Sequence, residues 1–318
     1  MSYKTFHQLY KDISVLDAQG KSEQALELLN KSTPQLSRIE YEKHLMEIEF
    51  ARATFSYESG HYQDYLQILS DLIGMGYAYP DKYLRLMEVD NERLEELKLE
   101  NKRLLAEADK QSKADYRIYL PDSYTADQEY PLFLALHGNG GNIDEFSDYW
   151  KADIFLQNNF IFVYLQSSQV WWHGSYGWTE DMIQARKDIA NSFKIIKEKL
   201  SIDEDCVLMG GFSGGAIATL ETVLSDLIPI KGFIGVSPGT NPPSFSRESL
   251  LKAAQRDIRG VLMEGEAMIP VPNQEEMTEG FHQVGLDYKY IINEGIGHWF
   301  PDDLSEKLEH SLEFILDD

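Results

Sequence analysis

The sequence predicts an α/β protein: a doubly wound, mostly parallel sheet with helices on both faces, preceded by an all-α segment. Three observations predict it. Up to about residue 112 the apolar residues recur at helical spacing and continuous apolar strands are missing. From residue 113 onward, short apolar runs alternate with helical stretches, which is the pattern of a parallel sheet buried on both faces. At 318 residues and 43% hydrophobic, the chain is long enough for two units that each bury a core. The expected division is a helical domain over residues 1 to 112 and an α/β domain over residues 113 to 318.

In the first part, Ala25, Leu26, Leu28 and Leu29 form one stripe, Leu45, Ile48 and Phe55 a second, and Tyr62, Leu66, Leu69 and Ile73 a third. The stretches "GKSEQALELL" and "GHYQDYLQIL" align residue for residue, each joining a turn glycine (Gly20, Gly60) to an amphipathic helix. The pair resembles a degenerate tetratricopeptide-type repeat, whose units stack to bury their apolar faces. An ordinary helical bundle with coincident turns is the alternative. The segment "RLMEVDNERLEELKLENKRLLAEADK" continues as a charged helix with Leu94, Leu97, Leu104 and Leu105 on one side. It is too short for a long coiled coil and reads as a solvated helix packing one stripe on its neighbours.

In the second part, "YRIYL", "PLFLALH", "FIFVYLQ", "CVLMGG", "GFIGVS", "GVLME" and "YKYIIN" read as strands. Helices are expected over 145–157, 182–200, 214–226, 248–257, 273–284 and 303–316. Active sites of such sheets collect at the carboxyl ends of the strands.

Between the fourth strand and its helix stands Gly-Phe-Ser-Gly-Gly, the strand-to-helix context that a G-x-S-x-G signal requires. Gly211 and Gly215 are needed where a Cβ would collide with neighbouring backbone, and Ser213 is lifted to the helix N-terminus as the expected nucleophile. The base of this arrangement comes last in the chain. Of eight histidines, only His298, in "NEGIGHWFPDDL", has both the order and the loop, so it is the expected general base. The loop "LFLALHGNGGN" offers an oxyanion hole from the backbone N–H groups of Asn139 and Gly214, with Gly138, Gly140 and Gly141 permitting close approach. His137 is expected to order that loop.

Taken together, "YRIYLPDSY", "YPLFLALHGNGGN", "YGWTED", "GGFSGGA", "GEAMIPVP" and "GIGHWFPDDL" resemble the α/β-hydrolase superfamily. The likeness lies within the carboxylesterase, acyl-protein thioesterase and dienelactone hydrolase group. The resemblance implies a cofactor-independent serine esterase that forms an acyl-enzyme; the helical part lies outside it. One position departs from the family pattern: similar hydrolases carry an aspartate three residues after the glycine of "GE", where this chain has Met268. The acid is expected at Glu266, ahead of Glu264; Glu275, Asp302 and Asp303 are further choices, as is a dyad or an inactive site. Losing the acid slows such a triad by about 10⁴ without abolishing catalysis.

The loop "QVWWHGSYGWTED" gathers Trp171, Trp172, Tyr176 and Trp178, and Trp299 follows His298. Trp178 is the expected substrate-binding wall, with packing onto the sheet as the competing role for these rings. No metal or phosphate-binding motif is present, and no cofactor is expected. The formal charge of −24 argues against nucleic acid and anionic membranes and favours a neutral or cationic substrate. A single cysteine, Cys206, and the lack of an apolar leader or span point to the cytoplasm, with a leaderless secretion route left open. The expected function is a carboxylesterase cleaving a small or medium acyl ester. A peptidase or thioesterase on the same parts, or a non-catalytic scaffold, is the alternative. The helical part could bind a protein partner, mediate self-association or act as a lid.

Overall fold

The computed structural model describes residues 3–80, 84, 92–178 and 181–317. Residues 85 to 91 of the expected charged helix, and Thr179 and Glu180 of "YGWTED", lie outside the described residues.

The first part is helical: α1 (Phe6–Ala18), α2 (Ser22–Ser32), α3 (Arg38–Lys43), α4 (Leu45–Glu58), α5 (Tyr62–Gly74) and α6 (Glu92–Gln111). Thr5 caps α1 by accepting from the Gln8 N–H. The two aligned stretches form the same turn. Gly20 and Gly60 both take positive φ, and the next N–H closes back on a carbonyl of the preceding helix, Lys21 on Leu16 at 2.9 Å and His61 on Ser56 at 2.7 Å. The apolar stripes fill two clusters. Leu9, Ile13, Leu29, Ile48 and Phe55 belong to one; Tyr65, Leu69, Leu72, Leu94 and Leu97 belong to the other. Each fully buried aliphatic contributes about 1.5–3 kcal/mol. The leucine stripe of α6 thus faces its own half, and Asn101 fastens it by exchanging two hydrogen bonds with the Tyr79 backbone, at 2.6 and 2.9 Å.

Each of the seven apolar runs forms a strand: β1 (Asp115–Tyr119), β2 (Tyr130–Leu136), β3 (Ile161–Gln166), β6 (Ile202–Phe212), β7 (Gly232–Val236), β8 (Arg259–Gly265) and β9 (Asp287–Asn293). They lie in the order β1-β3-β2-β6-β7-β8-β9, parallel except where β1 runs against β3. The tryptophan-rich loop adds a small hairpin, β4 (Val170–Trp172) with β5 (Ser175–Tyr176). Helices α9 (Ile183–Lys199), α10 (Gly214–Leu224), α11 (Arg247–Gln255) and α12 (Pro272–Val284) follow the expected stretches. So does α13 (Leu304–Leu316).

The expected helix over 145–157 is instead two, α7 (Ile143–Tyr149) and α8 (Asp153–Gln157). The break falls at Trp150, which turns to extended backbone and buries its ring completely beside Phe133 and Phe146. One cluster, with Leu134, Ile189 and Leu220, covers one face of the sheet. A second, with Phe133, Phe162 and Leu312, covers the other. This is an α/β-hydrolase fold with a helical region ahead of the sheet, and the carboxyl ends of β2, β6, β8 and β9 open toward one another.

Candidate active site

Strand β6 runs straight into α10 with one residue between them, Ser213, held at φ 52° and ψ −119°. That strained turn is tolerable only because its neighbours lack side chains. A Cβ on Gly211 would stand 2.6 Å from the Gly215 carbonyl carbon, and one on Gly215 would overlap the Leu136 and His137 carbonyls. The Ser213 N–H is fixed on the Val236 carbonyl at 2.8 Å. The residue is partly exposed, and its Oγ lies 2.9 Å from His298 Nε2.

His298 lies on the loop between β9 and α13. Phe212 leans on its ring at a centroid distance of 5.1 Å. Burial pulls the imidazole down to about 4, and no carboxylate among the described residues opposes that shift. The imidazole is therefore neutral at ordinary pH, and among the described residues no counter-charge for an imidazolium faces it.

The loop after β2 is pinned from below. His137 is wholly buried. Its Nε2 accepts from the Ser167 N–H at 3.3 Å, which leaves Nδ1 to donate to the Gly138 carbonyl at 2.7 Å. Burial pulls this imidazole to about 4 as well. Trp178 takes the supporting part: its indole donates to the His137 carbonyl at 2.8 Å and its backbone N–H to Asn139 Oδ1 at 2.6 Å. With 1% of its surface exposed, Trp178 braces the loop from within the core and is absent from the cavity wall. Asn139 lies directly over Gly214, where a Cβ would overlap the Asn139 amide. Gly138 packs on the Phe212 ring, which leaves a Cβ only 2.9 Å.

The structure does not bring the expected acid to His298. Glu266 is exposed and accepts from the Gly295 N–H at 3.0 Å, bracing the loop that carries His298. Glu264 is buried beneath the end of β8, where Ser237 Oγ at 2.8 Å, the Gly265 N–H at 3.0 Å and Gln274 donate to it. Asp302 is held by Lys11 and lies 3.5 Å from His7, and Asp303 receives Lys307. Glu275 makes no bond to His298.

Helix α1 grips the same loop. The Ser14 backbone carbonyl lies so close to Gly297 that a Cβ there would overlap it, and Trp299 Nε1 donates to His7 Nδ1 at 2.7 Å. Above Ser213 lies a cavity of about 180 Å³. The sheet half supplies Trp172, Trp299 and Glu145, among others; the helical half supplies Phe6, Tyr10, His44, Glu47 and Phe50. Sequence reasoning missed these five because nothing local to them signals a ligand.

The strand order, the strained serine between β6 and α10 and the histidine loop after β9 define an α/β-hydrolase. The chain belongs to the phospholipase/carboxylesterase family, whose model matches residues 125 to 316. No match was found among the curated proteins. Among solved structures, an uncharacterized protein from Bacillus cereus ATCC 10987 is 21% identical. That likeness covers 98% of this chain and 99% of that one at a TM-score of 0.52, so it extends over the helical part too. A ferulic acid esterase is 15% identical over 64% of this chain and 92% of its own, with a TM-score of 0.52. The propionate-bound esterase Est2 of Thermogutta terrifontis is 15% identical over 64% and 89%, with a TM-score of 0.50. At these identities the likeness speaks to fold. Among the described residues no helix is long and apolar enough to cross a membrane.

Proposed function

We propose that the chain is a serine carboxylesterase for small or medium acyl esters, acting through a Ser213–His298 pair. The observation that carries this reading is the 2.9 Å contact between His298 Nε2 and the Oγ of a serine on a strained strand-to-helix turn. Ser213 Oγ attacks the ester carbonyl carbon while its proton passes to His298 Nε2. The Asn139 and Gly214 N–H groups hold the resulting oxyanion. His298 then protonates the leaving alcohol, and water, activated by the same imidazole, releases the acid and restores the serine.

No acid stands behind His298 in this reading. Glu266 and the contacts from α1 orient the imidazole, while the charge that a carboxylate would supply is missing, so turnover is slow relative to a full triad. The lone cysteine and the acidic composition support a cytoplasmic setting.

A fluorophosphonate tests the assignment. Wild-type protein should be modified at Ser213, and Ser213→Ala and His298→Ala should both lose labelling and at least about 10³ in kcat/KM with melting temperature nearly unchanged. Folded wild-type protein that stays unlabelled would favour the second reading, a ligand-binding scaffold, which the missing acid supports.

A further inference from the structure

The cavity above Ser213 has an acidic side that the proposed chemistry does not use. Glu47 on α4 and Glu145 on α7 both line it, one from each half of the molecule. Burial, and then the charge of Glu47, push Glu145 well above the usual carboxylate range. Two carboxyl groups crowded together in a partly enclosed space are short of positive charge. Lys43 also acts on Glu145, but its ammonium is bonded to Asp148. His44 Nδ1 lies 3.4 Å from Glu47, with its Nε2 toward Glu40 at 3.7 Å.

The rest of the wall is aromatic, with Phe6, Tyr10, Phe50, Trp172 and Trp299 around the same space. Ring faces beside carboxylates are the surroundings that hold an organic ammonium ion.

We infer that this part of the cavity is a cation subsite, in which Glu47 and Glu145 take the ammonium group of a cationic ester whose acyl carbon reaches Ser213. The identification of the guest as a substrate rests on the esterase reading; its binding does not.

Calorimetry with an aryl trimethylammonium ion and its neutral tert-butyl isostere separates the two claims. The wild-type protein should bind the cation at least about tenfold more tightly, and Glu47→Gln with Glu145→Gln should bring the two probes to within about twofold. Each single Gln variant should lose part of the preference, which keeps the test open if the double variant folds poorly. Equal binding of both probes, a preference kept in the folded variants, or no binding of either overturns the subsite. In parallel, the cation should slow fluorophosphonate labelling of Ser213. Absent labelling with cation preference intact would remove the esterase reading and leave the subsite standing.

Discussion

Ser213 and His298 meet at 2.9 Å, yet the two are held there by different means. The serine turn is fixed within its own neighbourhood. Gly211 and Gly215 make room, Val236 accepts the Ser213 N–H, and nothing from the helical half is needed. The histidine loop is held from a distance: Glu266 takes the Gly295 N–H, Ser14 abuts Gly297, His7 accepts from Trp299, and Lys11 reaches Asp302. The proposed nucleophile is thus placed by local sterics, whereas the proposed base depends on the docking of a helix nearly three hundred residues earlier in the chain.

The sharpest way to break that contrast is Gly297→Ala. Its methyl would overlap the Ser14 carbonyl, so either α1 lifts or the loop moves. A displacement near 1 Å should cost about 10² in kcat/KM and lower the melting temperature; full activity would show that the base does not depend on α1.

The pH profile comes next. His298 must be neutral to accept the serine proton, and burial holds it near 4, so kcat/KM should be level from pH 8 to about 5 and fall about tenfold per unit below 4. A fall beginning near 6.5 would reveal a carboxylate stabilising the imidazolium. Stability follows the same sign. Both His298 and His137 titrate lower folded than unfolded, so the stability present above about 6.5 is lost as pH falls toward 4, on the order of 3 kcal/mol for the wholly buried His137. Denaturant melts across that range measure it.

His7→Leu removes the acceptor of the Trp299 indole. An unpaired N–H there should cost about 1–3 kcal/mol of stability and roughly fivefold in kcat, with His7→Gln recovering much of both. The smallest effect expected is that of Glu266→Gln, whose amide oxygen can still accept from Gly295. It should stay within about threefold of wild type, whereas loss of a true triad acid would approach 10⁴.

The same contrast explains what could be read in the sequence. The strands, the Gly-Phe-Ser-Gly-Gly turn and the histidine after the last strand are local patterns, and each stands in the fold where its residues alone place it. Trp150 was hidden because its helix breaks to bury a ring, which depends on the core beneath it. Trp178 looked like a pocket wall because loop aromatics can face either way, and its hydrogen bonds to His137 and Asn139 decide the matter from inside. The cavity roof was illegible for a stronger reason. Phe6, Tyr10, His44, Glu47 and Phe50 carry ordinary helical spacing, and only the docking of one half on the other turns them toward Ser213.

A cavity with its reactive floor on one stretch of chain and its roof on another can vary in two independent ways. Substitutions in the first sixty residues can enlarge, narrow or recharge the space while the strand ends keep the bond-breaking geometry. Recombining different helical segments with one hydrolase half would then exchange guests while the reaction is inherited intact.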